Sequence, residues 1–387
     1  MTDVVIAGVG QTPVGEHWDT SLRELSLNAI EGAIQDAGGI QPQALFVSNM
    51  LAPTISGQAH LGALIADFAG LTGIEAVTVE GAGASGGLAL RQAYMMVSAG
   101  SADAALVLGI EKLTDQTGSG VEAAIATSVD SDYEAVQGLT PTAQAALIMR
   151  RYMHEFELEH EIFAGIPVVA HANGASNPNA MFRRAISVEA YNRAGMVNDP
   201  LNMFDIAPGA DGAAALLLAR RELLPPAFSH PLVRISGSAA VTDTLALHDR
   251  PDPLAFHAAR LSVERACRQV GIMPQDVHLF ELFDAYSIYA ILSLEAAGFA
   301  ERGHGWELAQ VDRLSLGGEL PISTFGGLKA RGNPGGATGV YQAVEAVLQL
   351  RGQANANQVP DAARALVQSL GGPASSAVTH VLERTDQ

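Results

Sequence analysis

"AIQDAGGIQPQALFV", residues 33–47, is echoed at residues 266–280 by "ACRQVGIMPQDVHLF". Each copy reads as the end of an amphipathic helix, a glycine stop, a proline-led turn and the entry into a strand. Ahead of the first copy, Ser21 with Glu24 three residues on makes a capping box that starts the helix. Ahead of the second, Asp252 followed by Pro253 gives a start signal of the other common kind. A strand precedes each helix, "DVVIAGVG" (3–10) and "PLVRISGSAAV" (231–241). Downstream of each copy a loop of small residues feeds a helix, "GAGASGGLALRQAYMMVSAG" (81–100) and "GNPGGATGVYQAVEAVLQLRG" (332–352). Helices this apolar all round belong between layers. "DAALVLGIEKL" (103–113) and "SAVTHVLER" (376–384) then read as core strands. The chain is therefore expected to be a duplicated α/β protein with halves at 1–230 and 231–387. Residues 113–210 break the alternation and form an inserted loop region, with a helix from Pro141 to about Glu155 and the loop "HANGASNPNAMFRRA" (171–185). Insertions of this kind commonly cover a binding cleft. "DGAAALLLARRELL" (211–224) returns to the core as the closing strand of the first half.

The totals agree with a packed α/β protein. Of 387 residues, 48% are hydrophobic and only 16% charged, which excludes intrinsic disorder. A formal net charge of −19 repels a nucleic-acid backbone. The single cysteine, Cys267, excludes an internal disulfide and a cysteine-based zinc site, and its helical spacing reads as core packing. No apolar run reaches the ~20 residues needed to span a membrane, and no basic region followed by an apolar run opens the sequence. The expectation is a cytoplasmic protein with no membrane span, no bound metal and no permanent cofactor.

The loop "EGAGASGG" (80–87) satisfies two short patterns together. Gly81, Gly83 and Gly86 spell a dinucleotide fingerprint, and Gly83, Ser85 and Gly87 spell a serine-hydrolase elbow. The first needs its loop in the opening βα unit, whereas here it follows 80 residues of other structure; Glu111 is a poorly spaced ribose partner. The second needs a framed acid and histidine; Asp284, His304 and His380 are on offer, but His380 falls inside the terminal strand pattern. Neither pattern describes the loop.

Six ordered blocks together resemble the thiolase superfamily, and within it the sterol-carrier-protein thiolases and bacterial lipid-transfer thiolase-like proteins. They are residues 77–113, "HANGASNPNAMFR" (171–183), "DPLNMFDIAPGADGAAALLLA" (199–219), "ELFDAYSIYA" (281–290), residues 326–352 and "SLGGPAS" (369–375). The resemblance implies a five-layer α-β-α-β-α fold, a homodimer, and acyl-CoA thioesters as substrates, with coenzyme A present only as part of the substrate. It also implies a cysteine nucleophile on the first glycine loop, activated by a histidine of a "GHP" block. A further histidine in an "HDAF" block and a late cysteine complete the family's site.

At those positions this sequence has Gly83, Asn333, Phe283 and Ser369. Glycine carries no atom that can hold an acyl group, and phenylalanine moves no proton. What the matched positions can still supply is non-covalent. Backbone N–H groups of Gly83, Gly371 and Gly372 and the Asn333 amide can polarise a thioester carbonyl. Asp284 and Tyr286 are candidate proton carriers, although packing or loop-fixing roles suit both. Ser85, His171, Phe283 and Ser369 are expected around the substrate, and Arg183 and Arg184 are candidates for the coenzyme A phosphates or a solvated face. These residues are compatible with carbon–carbon bond cleavage or formation on an acyl-CoA, of retro-aldol or Claisen type, with a small OB-fold/zinc-ribbon partner protein as in related aldolases. Two alternatives stay open: an inactive thiolase-like subunit that binds coenzyme A or supports an active chain, and an acetyl-CoA acyltransferase with an engineered nucleophile knockout.

Overall fold

Strands that are apolar at every position must be covered on both faces, and the alternation of their side chains shows what covers them. The computed structural model describes residues 3–228 and 230–385, so the outermost residues of the two expected halves fall outside it. Its strands are β1 (Val4–Gln11), β2 (Ala44–Ser48), β3 (Glu75–Val79), β4 (Ala104–Glu111), β5 (Met196–Asn198) and β6 (Leu201–Asn202). They continue with β7 (Gly212–Arg220), β8 (Leu232–Thr242), β9 (Leu279–Glu281), β10 (Arg364–Gly371) and β11 (Ser376–Thr385). β5 and β6 make a small separate hairpin, and the other nine form one ladder in the order β3-β2-β4-β7-β1-β8-β11-β10-β9. The strands before and after residue 230 meet at its middle, where β1 and β8 run antiparallel and Val5 opposes Arg234. Outward from that seam each side repeats one pattern: two antiparallel neighbours, then a parallel one.

Alternate residues of β4 and β7 enter different cores. Ala104, Leu106, Leu108, Ala213, Ala215 and Leu217 pack with the outer helices Leu22–Asp36 and Leu61–Phe68. Ala105, Val107, Ala214, Leu216 and Leu218 pack inward on two central helices, Ser85–Ser98 and Thr338–Arg351. On the far side of the central layer, Leu366, Ala377 and Val381 of β10 and β11 pack on the outer helices His257–Val270 and Ser287–Ala296. Three apolar cores, the central one covering both faces of the middle helices, join helix, strand, helix, strand and helix in the expected five-layer α-β-α-β-α architecture.

Local signals are mostly realised where they were read. Ser21 and Glu24 form the reciprocal capping box, and the insertion helix spans Pro141–Glu155, capped by the Thr140 hydroxyl. Cys267 is buried among apolar neighbours, and burial pushes its thiol up to about 11. Two boundaries differ. The second outer helix begins at His257, because Asp252 closes a turn onto the Leu254 N–H and Phe256 sits at φ +20°. The supposed loop at 171–185 opens as the last turns of helix Gly165–Ala175. Its asparagines clasp the chain opposite: Asn173 donates to the Ile322 and Ser323 carbonyls, and Asn177 to Phe325. No helix among the described residues is long and apolar enough to cross a membrane.

His380, in β11, is wholly buried, with one ring nitrogen 3.1 Å from the Gly87 carbonyl, and burial lowers its pKa from 6.5 to about 4. The unfolded chain therefore binds this proton before the folded one does. The stabilisation of the neutral ring is complete above pH 6.5 and declines as pH falls toward 4, by about 3 kcal/mol. Buried carboxyls such as Glu345 shift in the opposite sense, so the test is a difference between two proteins. In urea titrations, the stability gap between wild type and His380→Gln should narrow by that amount from pH 7 to pH 4.

Candidate active site

The two central helices begin side by side, and glycine makes that possible. A Cβ on Gly86 would stand 2.7 Å from the Val340 nitrogen and 2.8 Å from the Gly339 Cα. One on Gly339 would stand 2.6 Å from the Gly87 nitrogen. The turns that start both helices are thereby brought to the same end of the sheet. The first turn, Ala82–Ala84, is closed by Ser85, whose hydroxyl accepts from the Gly81 N–H (2.9 Å) and donates to the Ala82 carbonyl (2.6 Å). The second is held by the Thr338 hydroxyl, which donates to the Asn333 carboxamide oxygen at 3.0 Å. The end of β10 and the segment after β9 reach the same place.

These pieces enclose a cavity of about 180 Å³. Gly83, Phe283, Tyr286, Asn333 and Gly372, all singled out from sequence, are in its wall. Tyr289, Thr142 and Glu122 are there too and were not. Glu122 is the one carboxylate in the wall, on the exposed insertion helix Ser119–Ile125 at the mouth. Tyr286 exchanges a hydrogen bond of 3.1 Å with Thr142, and burial pushes its phenol up to about 12, so it is a neutral donor near pH 7. With its oxygen engaged by Thr338, Asn333 has its NH2 end free. Gly372, at φ +53°, makes no hydrogen bond through its amide within the described chain. Arg250 fixes the same turn by donating to the Pro373 carbonyl.

Gly83 is crowded from two sides. A Cβ there would stand 2.6 Å from the Leu370 carbonyl oxygen and 2.7 Å from Cζ of Phe283. The aromatic ring lies where a side chain on residue 83 would go.

The remaining candidates lie elsewhere. Asp284 is fully buried with its carboxylate on the Ser323 hydroxyl and the Leu328 N–H, so it braces the 323–328 loop and does not reach the cavity. Ser369 donates to Gln342 inside the core, and Gly371 accepts from Ser375 at the end of β10. His171 is buried against Phe182 and Phe204, and burial holds its imidazole below the ordinary range. Arg183 and Arg184 are exposed, away from the cavity wall. Glu111, weighed as a ribose ligand, ends β4 as a knot: it accepts from Asn49, Met50, Leu51 and Gly336. Burial nevertheless raises its pKa to about 7. Among the described residues no cluster of side chains could hold a metal ion.

Residues 4–222 match the family described as "Thiolase, N-terminal domain", and residues 239–384 match "Thiolase C-terminal domain-like". The chain belongs to the thiolase family. It is 40% identical to an acetyl-CoA acetyltransferase of Methanothermobacter thermautotrophicus, over 99% of this chain and 100% of that one. It is 28% identical to sterol carrier protein 2 of Gallus gallus, over 95% of this chain and 69% of that protein. A solved structure described as "Ltp2-ChsH2(DUF35) aldolase" superposes with a TM-score of 0.82 at 25% identity, over 100% of this chain and 98% of that one.

The crowding at residue 83 is directly testable. Gly83→Ala should destabilise the protein by about 1–3 kcal/mol, the usual cost of overpacking a filled site. Urea unfolding of the single variant measures this. Pairing it with Phe283→Ala should recover part of the loss.

Proposed function

We propose that the cavity receives the acyl end of a coenzyme A thioester and that the protein makes or breaks a carbon–carbon bond there without a covalent acyl intermediate. The observation that carries this is the position of Gly83. It stands at the start of a long central helix, in the cavity wall, where the family resemblance expects a cysteine, and Phe283 fills the space a thiol would need. Acyl transfer through residue 83 has no atom to proceed through.

The remaining groups suit enolate chemistry. The helix start, the Gly372 amide and the Asn333 NH2 are preorganised donors for a thioester oxygen that gains negative charge, each worth roughly 3–4 kcal/mol in such sites. In the retro-aldol direction the 3-hydroxyl of a 3-hydroxyacyl thioester loses its proton and the bond between carbons 2 and 3 breaks. A carbonyl compound leaves, and the thioester enolate takes up a proton at carbon 2. In this reading Tyr286, neutral and hydrogen-bonded to Thr142, gives the proton, and Glu122, in the cavity wall, accepts one.

The similarity to a structure described as an aldolase of two named components supports this reading and a small OB-fold/zinc-ribbon partner for this chain as well. The outer edge of β3, which pairs only with β2, and the exposed Val77 on it suit a second copy of the chain in a homodimer.

The test is to incubate the protein with 3-hydroxyacyl-CoA thioesters, and separately with acetoacetyl-CoA plus coenzyme A. Release of an aldehyde or ketone, with intact protein mass unchanged, is expected. Thiolysis accompanied by an acyl adduct on the protein would overturn the proposal.

A further inference from the structure

Three arginines are buried among the described residues, and two of them hold a carboxylate. Arg331 pairs with Glu345 at 2.7 Å, and Arg351 pairs with Asp36 at 2.6 Å. Arg250, 7% exposed, makes no ion pair with any described residue. Its Nε donates to the Thr244 carbonyl at 2.9 Å and its Nη1 to the Pro373 carbonyl, while its Nη2 is buried without a partner. A guanidinium keeps its charge inside a protein, so this side chain is a buried cation held by two neutral oxygens. A buried charge with no opposite charge in contact is destabilising. Beside a cavity, such a group points to the charge that the chemistry of the cavity develops.

The surroundings of Arg250 say which charge that is. Pro373 follows Gly372, whose amide is in the cavity wall and makes no hydrogen bond within the described chain. The two carboxylates that act on Arg250, Asp243 and Glu134, are engaged by backbone: Asp243 accepts from the Thr244 N–H, and Glu134 from the Leu247 and Asp130 N–H groups. The field of Arg250 reaches the wall itself. At Tyr289, whose hydroxyl also lacks a partner, burial and Tyr286 raise the phenol and Arg250 pulls it back toward the anion. An enolate oxygen bound at the Gly372 amide lies against the turn that Arg250 grips, and the same field favours it.

We infer that Arg250 is a positioning residue for the enolate: it clamps the 372–373 turn that presents the Gly372 amide, and its unpaired charge behind that turn favours the ionised form of the bound thioester. The inference rests on the proposal that the cavity carries out enolate chemistry on a thioester.

Acetoacetyl-CoA tests it, because its enolate has an ultraviolet absorption of its own. Difference spectra of the saturated complex at one fixed pH give the enolate-to-keto ratio of the bound ligand without turnover. Wild type should hold a higher ratio than free acetoacetyl-CoA. Arg250→Gln should lower the bound ratio about tenfold, the scale of one unit charge acting across a turn of backbone. Arg250→Lys, which keeps the charge, should restore most of it, and Glu134→Gln, which removes an opposing carboxylate, should raise it above wild type. An unchanged ratio in Arg250→Gln would leave Arg250 a structural strut and overturn the inference, whatever the change in stability. Should that variant not fold, Glu134→Gln decides, and a ratio at or below that of wild type would overturn it. So would a wild type that binds the ligand with no more enolate than in free solution. Failure of the folded wild type to bind acetoacetyl-CoA or butyryl-CoA at all would instead overturn the thioester reading beneath it.

Discussion

The contact between Gly86, Gly87 and Gly339, backbone against backbone, is the constraint on which the rest of this molecule depends. Two helices from opposite halves of the chain share the central layer only if they approach at that distance. Their starting turns then lie together, and the loops carrying Phe283 and Gly372 close around them. A methyl group on Gly86 or Gly339 would drive the helices apart, and one on Gly87 would press on Val378 and Ser369 of the neighbouring strands.

Around this contact the protein places most of its buried charge in structural service. Arg331 and Glu345, each 1% exposed, pair at 2.7 Å behind the second turn, with Arg331 over the ring of Tyr341. Lys329 donates to the carbonyls of Phe204 and Asp205, and burial lowers its pKa to about 8. Glu281 accepts twice from Thr324. Such pairs contribute little net stability but become expensive when one member is removed. Their effect is to fix irregular backbone, including the five-residue π turn at Gly327–Arg331, which presents the Asn333 turn to the cavity. The shifted charged side chains Lys329, Glu281 and Glu345 thus belong to the braces of the site, and the cavity wall itself is nearly uncharged.

The architecture was legible in the sequence because duplication writes each element twice. The second outer helix and its turn could be recognised from the first, and the order of the five layers came from the family resemblance. The site was legible only in part. Gly83, Phe283, Asn333 and Gly372 were singled out because they fall in the family's blocks, and all four stand in the cavity wall. Asp284 was misleading: its neighbours Phe283 and Ala285 line the cavity, but its own carboxylate turns back onto Leu328. Tyr289 was missed although it stands three residues after Tyr286 at the start of one helix, a spacing that puts both on one face. Whether a tyrosine hydroxyl is paired depends on residues far away in the chain, and no local pattern records that. Thr142 and Glu122 come from the insertion, where there is no repeat to compare.

The ring of Phe283 and the Leu370 carbonyl close the space beside Gly83 from two directions. A side chain at residue 83 meets Phe283 and the Leu370 carbonyl together, and a smaller residue at 283 leaves a void beside a glycine. Neither single change improves packing. A side chain at residue 83 therefore needs both a smaller residue at 283 and a shift of the backbone at Leu370.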